Sequence, residues 1–251
     1  MESEMPLASY SREQAAKITF QQAQPDTLNS LFCRQPVEFV QLGQTIFFEG
    51  DEAKHVFEVV EGALRIFRIL SDGRRVITGF VFDGDLLGVS LKKNYLYSAE
   101  ALVDTKIRRL TRKNFDLVVR DSEELRPQAF EFICDEMAAV QDQMVLLACK
   151  SAEERLCTFL LKHLRKSMAK GECQSVVKLP MTRQDMADYL GLTIETVSRM
   201  ITKLSARGVL GCVGRHSVKV MKPMLLAQLA GDEDVYGWAG SMEQPEDRRH
   251  N

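Results

Sequence analysis

Between residues 37 and 110, apolar and polar positions alternate in short runs (EFVQL, TIFFEG, HVFEVVEG, LRIFRI, VITGFVF, IRRL), broken by Gly43, Gly50, Gly62, the Ser71-Asp72-Gly73 turn and Asp83-Gly84-Asp85. A period of two turns one face of each run inward, and turn residues at this spacing predict many short strands closed into a sandwich or barrel. The residues before 37 are polar and weakly patterned, with a short helix expected around 26–33.

The period then changes. Phe130, Ile133, Met137, Val140, Met144 and Leu147 follow one another at intervals of 3, 4, 3, 4 and 3. That is the a/d alternation of a coiled-coil seam, and it predicts a helix over about 127–148 opened by Pro127. The spacing fits a period of 3.5 better than a broad stripe, which favours a parallel dimer helix. The alternative is an amphipathic helix packed on its own barrel. Charged and amide residues (Glu131, Asp135, Glu136, Gln141, Asp142, Gln143) fill its other faces.

Ser151 and Glu154 form an S-x-x-E capping box that opens a helix to about residue 170, with Leu156, Phe159, Leu160 and Leu164 inward. Further on, Thr182 is a good N-cap with Asp185 at the third helical position, where the helix dipole favours an acid. The helix they start runs over 183–190, with Met186 and Leu190 facing inward. Gly191-Leu192-Thr193 supplies a tight connection with a left-handed glycine, and Thr193 caps a second helix to about residue 206 that buries Val197, Ile201 and Leu204. Two short helices joined this way make a helix-turn-helix. Strands expected at 209–213 and 217–220, with a tip at Gly214-Arg215-His216, add a wing.

Of 251 residues, 45% are hydrophobic and 27% charged, the texture of a globular protein with a real core. No stretch approaches the roughly 18–20 apolar residues of a membrane span. The polar, acid-bearing N-terminus resembles neither a signal nor a transit peptide, so a cytoplasmic protein is expected. The six cysteines (33, 134, 149, 157, 173, 212) show no C-x₂-C pair and are expected to be reduced thiols, mostly small core hydrophobes. The net charge of −2 divides unevenly: −6 over residues 1–149, +8 over 150–222 and −4 beyond. Positive charge is thus concentrated where phosphates would pass, the footprint of a double-stranded DNA partner, although a solvated basic surface would give the same count.

The second helix of a helix-turn-helix enters the major groove N-terminus first. Its exposed face carries Glu195, Ser198 and Arg199 at i, i+3 and i+4. Arg199 can bond O6 and N7 of guanine, Glu195 can accept from a cytosine amino group, and Ser198 can meet an adjacent base. A carboxylate facing phosphates is costly unless it reads a donor, although a Glu195–Arg199 ion pair within the helix is the alternative and is compatible with reading. Thr182, Arg183, Gln184, Thr193 and Thr196, at the two helix N-termini, and Arg215 at the wing tip are candidates for anchoring the DNA backbone. Cys212, on the first wing strand near Arg215, His216 and Lys219, is either a redox-reactive thiol beside the DNA or an inert residue packed inward.

The stretches FDGDLLG (82–88), KSAEERLCTFLL (150–161) and MTRQDMADYLGLTIETVSR (181–199) make the chain closely resemble the Crp/Fnr superfamily of bacterial transcription regulators over about residues 37–231. The resemblance implies an α+β chain: a cyclic-nucleotide-binding-type β-roll, a long dimerisation helix and a C-terminal winged helix-turn-helix. The expected divisions are an extension at 1–36, the β-roll at 37–120, the dimer helix at 121–149, the DNA-binding domain at 150–230 and a disordered acidic tail at 231–251. It also implies a homodimer on a TTGAT-N4-ATCAA-like palindrome, activating transcription through contact with RNA polymerase.

Two departures follow. Only Cys33 precedes residue 134, so the four thiolates that an Fnr-type [4Fe–4S] cluster would take are not to be had there. Tyr97-Ser98-Ala99 stands where cyclic-AMP binders carry an Arg-Ser pair, with no other cation expected to neutralise a cyclic phosphate at Gly84-Asp85-Leu86. The Glu-x-x-Ser-Arg face and these losses look most like the FixK group, which implies microaerobic or nitrogen-fixation-related control, with no cofactor and no metal. A haem- or metabolite-gated regulator with His55 as ligand is the competing reading. Catalytic Ser/His/Asp, metal and phosphate-loop constellations are missing from the sequence, which argues against an enzyme.

Overall fold

The computed structural model describes residues 26–89, 92–169, 175–214 and 216–232. The expected barrel forms from eight strands: β1 (Val37–Val40), β2 (Thr45–Phe47), β3 (His55–Glu61), β4 (Ala63–Ile69), β5 (Arg75–Phe82), β6 (Leu86–Leu87), β7 (Ser98–Ala101) and β8 (Thr105–Thr111). They make two four-stranded antiparallel sheets, ordered β1-β8-β3-β6 and β2-β7-β4-β5. Alternation drives the closure: Val40, Phe47, Phe57, Val59, Leu64, Val81, Leu87 and Ile107 meet between the sheets. At the β3–β4 corner Gly62 has φ 118°, and a Cβ there would stand 2.5 Å from the Thr105 hydroxyl, so only glycine fits this turn.

Helix α1 (Arg112–Asp121), capped by the Thr111 hydroxyl on the Asn114 N–H, follows the last strand and was not anticipated. Together with a 3-10 turn at Asn29–Phe32, shorter than the helix expected around 26–33, it closes the barrel end through Phe32, Phe115, Val56 and Leu110.

Helix α2 spans Leu125–Cys149. Pro127 does not open it but sits third in the first turn, where its missing N–H costs nothing, while the Ser122 hydroxyl accepts the Leu125 N–H (3.2 Å). Two faces separate along α2. Leu125, Ala129 and Phe132 pack on the barrel end, and Leu146 joins the C-terminal core. The a/d residues point elsewhere: Phe130 is 70% exposed and Met144 66%, Met137, Val140 and Leu147 are exposed, and Ile133 is half-buried.

The C-terminal part contains α3 (Ala152–Ala169), β9 (Val176–Lys178), α4 (Arg183–Leu190), α5 (Ile194–Ala206), β10 (Leu210–Gly214), β11 (Ser217–Val220) and α6 (Pro223–Leu229). The Ser151/Glu154 box is present, with Glu154 accepting the Ser151 N–H (2.8 Å). Leu156, Phe159, Leu160, Leu164, Met186, Leu190, Val197 and Leu204 form its core, all buried as the sequence pattern requires. The wing gains a third strand, because β9 pairs with β11 to give the order β10-β11-β9. Among the described residues no helix is long and apolar enough to cross a membrane. The cysteine expectation is corrected: Cys157 is buried, but Cys33, Cys134 and Cys149 are exposed. Cys33 follows the 3-10 turn, and Cys134 and Cys149 lie on exposed positions of α2. The tail from 233 lies outside the described residues.

Candidate DNA-binding interface

Local capping builds the site. The Thr182 hydroxyl accepts the Asp185 N–H (3.1 Å), and the Asp185 carboxylate takes back the Thr182 N–H (2.9 Å) and hydroxyl (2.6 Å). This reciprocal box satisfies free donors at the start of α4. The helix stops at Gly191, which adopts φ 63° and ψ 40°. A Cβ at Gly191 would press on Leu147 (3.3 Å) and the Arg155 guanidinium (3.4 Å). Arg155 donates to the carbonyls of Leu190 (3.0 Å) and Leu147 (2.9 Å), so the turn of the helix-turn-helix is tied to the end of α2. Thr193 then caps α5, accepting the Thr196 N–H (3.2 Å).

Helix α5 buries Val197, Ile201 and Leu204, and its opposite face leaves Glu195, Ser198, Arg199 and Thr202 in solvent. Among the described residues Glu195 and Arg199 form no ion pair, with each other or with any other group. Hydrogen bonding to its own backbone N–H and to the Thr193 hydroxyl holds the Glu195 carboxyl below its ordinary range, so it is an anion and an acceptor at neutral pH. The far end of α5 turns away from this face, with Lys203 and Arg207 both bonded to Glu153 of α3 (2.8 and 2.9 Å). Both basic residues of α5 are exposed, but Lys203 is ion-paired to Glu153 while Arg199 has no ion pair among the described residues.

The proposed backbone anchors fall into two groups. Thr193 and Thr196 stand with Glu195 at the N-terminus of α5. Thr182 and Gln184 are exposed at the N-terminus of α4, where Gln184 donates to Asp188 (2.6 Å) and Arg183 lies against the Met186 sulfur (3.6 Å). Arg215 and the side chain of Cys212 lie outside the described residues. The Cys212 backbone pairs with Val218, next to a register shift before Gly214.

At the β-roll, the slot of the missing arginine is filled from within. The Tyr97 hydroxyl accepts the Gly88 N–H (3.1 Å), and the Tyr97 ring stands 5.7 Å from that of Phe47, with burial pushing its pKa up to about 12. Ser98 accepts the Glu49 N–H (2.9 Å). The expectation that no cation reaches the Gly84-Asp85-Leu86 turn is corrected: Lys166 of α3 bonds Asp85 there. That charge comes from the other domain, 81 residues on, which explains why local reading missed it. Asp85 compensates it. His55, at the start of β3, has its carbonyl bonded to the Tyr95 hydroxyl (2.8 Å). Among the described residues no group of three or more His, Cys, Asp or Glu side chains is placed to hold a metal ion.

Sequence reasoning passed over Arg155, and it missed Arg65 and Arg75 of the β-roll, which meet Asp185. Arg155 stood inside a motif already singled out, and its place one residue after the capping box was the available signal. The other two carry no local signal.

Comparison with known proteins agrees with this architecture. Residues 37–122 match the cyclic nucleotide-binding domain family and residues 154–229 the Crp-like helix-turn-helix domain family. The chain is 36% identical over 188 residues to the nitrogen fixation regulation protein FixK of Bradyrhizobium diazoefficiens, covering 75% of this chain and 79% of that one. It is 37% identical to the transcriptional activatory protein AadR of Rhodopseudomonas palustris, covering 74% and 78%. The solved structure of FixK2 from Bradyrhizobium japonicum superposes with a TM-score of 0.73 at 33% identity, over 78% of this chain and 96% of that one. The chain belongs to the Crp/Fnr family of DNA-binding transcription regulators and is FixK-like within it.

Proposed function

We propose that this regulator acts in the cytoplasm as a homodimeric activator that reads a TTGAT-N4-ATCAA-like palindrome and contacts RNA polymerase, in microaerobic or nitrogen-fixation-related control. One observation carries the reading of DNA: Glu195, Ser198 and Arg199 share the exposed N-terminal face of α5, which Thr193 caps, and among the described residues Arg199 forms no ion pair. Arg199 is assigned to a guanine, Glu195 to a cytosine amino group and Ser198 to a neighbouring base. Thr182, Arg183, Gln184, Thr193, Thr196 and Arg215 anchor phosphates. The exposed a/d seam of α2 is the dimer interface, since a row of solvent-facing Phe, Met, Val and Leu side chains at coiled-coil spacing gains most by meeting a copy of itself. The names of its FixK and AadR relatives support the role in nitrogen-fixation-related activation. Tyr97 bonded into the barrel and Asp85 matched by Lys166 support a protein that works with no bound nucleotide, and the proposal includes no other cofactor.

Two substitutions test this. Arg199→Ala removes the bidentate contact and costs about 1–3 kcal/mol of discrimination at the guanine of the half-site, while weak, salt-sensitive binding persists. Wild-type discrimination in a competition assay against a base-substituted half-site sinks the assignment. Met137→Glu places a charge in the seam, and sedimentation should show monomer with a steep loss of affinity for the palindrome. An unchanged dimer would refute the seam.

A further inference from the structure

A network of charges joins the β-roll to the first helix of the helix-turn-helix. Asp185 is 1% exposed, and its two oxygens do different things. Oδ2 closes the capping box of α4, while Oδ1 accepts from Arg65 on β4 (2.7 Å) and from Arg75 on β5 (3.2 Å). Arg75 also reaches Asp188 of α4 (3.1 Å), and Arg65 reaches Glu100 on β7 (2.5 Å). Among the described residues the buried Arg65 Nε has no hydrogen-bond partner, and this guanidinium is held by its two carboxylates. Strand β5 continues along the same interface. Phe80 packs at 5.3 Å from Tyr189 of α4 and 6.1 Å from Phe159 of α3, Phe82 meets His163 edge-on at 5.3 Å, and Asp85 binds Lys166 beyond it.

From this geometry we infer that Arg65 and Arg75 are positioning residues for DNA reading: through Asp185 and Asp188 they fix the angle at which the helix-turn-helix leaves the β-roll. The inference rests on the reading of the protein as a palindrome-binding dimer. A palindrome accepts two recognition helices at one spacing and one orientation. A domain free to swivel after α2 would lose that freedom on binding, once per protomer, and affinity would fall accordingly. Here the angle is set before DNA arrives, by a carboxylate that also caps α4, so the start of α4 and the β-roll cannot move independently. The contacts fall on α4 and α3 and leave Glu195, Ser198 and Arg199 exposed, so the arrangement is compatible with binding.

The test uses the full-length protein, a palindromic duplex and a duplex with a single half-site. Arg75→Met should lower affinity for the palindrome about tenfold or more, roughly 1.4 kcal/mol. It should leave half-site affinity and the slope of log K against log salt unchanged, because no phosphate contact is removed. Arg75→Lys, which keeps the charge but not the fork that spans two carboxylates, should fall between. Exchanging the pair, Arg75→Asp with Asp188→Arg, rebuilds the contact to position 188 but not the one to Asp185, and should restore the palindrome preference in part. Arg75 variants that bind the palindrome as wild type does, or more tightly, overturn the inference, as does an equal loss on both duplexes or an exchange that restores nothing. A wild-type protein that binds palindrome and half-site alike overturns the dimer reading instead, and the positioning role falls with it. If Arg75→Met does not fold, Arg75→Lys and the exchange decide the matter by the same readouts.

Discussion

Helices α4 and α5 are neighbours in one motif and begin with the same kind of threonine cap, yet they dispose of their charge in opposite ways. On α4, Asp185 and Asp188 are bonded to arginines from a different domain. On the N-terminal half of α5, Glu195 and Arg199 are left in solvent. The first arrangement costs desolvation and returns orientation, because a buried carboxylate is tolerable only where its partners stand in fixed places. The second costs almost nothing in the free protein, since exposed charges are hydrated, and it keeps donors and acceptors available to a partner. Charge next to protein fixes geometry here, and charge left open stays available for the base contacts proposed above.

The comparison breaks most visibly if the two carboxylates are removed in turn. Asp185→Ala leaves Arg65 and Arg75 short of a buried anion and removes half of the α4 box, so it should cost about 3–5 kcal/mol in chemical denaturation. Glu195→Ala should stay within about 0.5 kcal/mol of wild type and relax base preference at the cytosine instead. Similar stability losses for the two would mean that Asp185 is not the buried linchpin its contacts make it.

The same interface should respond to acid. His163, on α3 against Phe82 and Phe159, has its pKa pushed down to about 4, first by burial and then by Lys166 and Lys162. Below the ordinary value of 6.5 the unfolded chain takes up a proton that the folded protein refuses. Its contribution to stability is therefore intact at neutral pH and is lost as pH falls from about 6.5 towards about 4, by up to roughly 3 kcal/mol. Melting curves at pH 7 and pH 5 should show His163→Phe losing less on acidification than wild type, since an aromatic ring without a titrating nitrogen fills the same space. Equal losses in the two proteins would place the acid sensitivity elsewhere.

What could be read from the sequence followed the range of the interactions involved. Thr182, Asp185, Gly191 and Thr193 act within four residues of themselves, so the bounds of α4 and the start of α5 were readable to the residue. The heptad of α2 was readable too, and only its first turn was misplaced, because Pro127 is tolerated at several first-turn positions. Strand β7 reads SAEA, with no β-branched residue, and it is a strand because β2 and β4 flank it. The three-residue β9 likewise exists by pairing with β11. Arg65 meets Asp185 across 120 positions, and no periodicity reports on that. The exposed face of α5 was therefore readable from the sequence, and the contacts of α4 with the β-roll were not.

The smallest expected effect compares the two caps directly. Thr193 is the lone side-chain cap of α5, and Thr193→Ala leaves the Thr196 N–H without its acceptor. Thr182→Ala removes a hydroxyl from a start that Asp185 still holds through the Thr182 N–H and through two arginines. Losing a threonine cap costs typically about 1 kcal/mol. Thr193→Ala should show that loss in full and Thr182→Ala a smaller one. Thr193→Ala should also weaken DNA binding, because the capped turn holds Glu195 and Thr196 at the groove end of α5. Thr193→Ser keeps an acceptor in the same place and should recover most of both effects. If Thr182→Ala proves the costlier change, Asp185 depends on its threonine more than on its arginines, and the division of labour between the two helices would have to be redrawn.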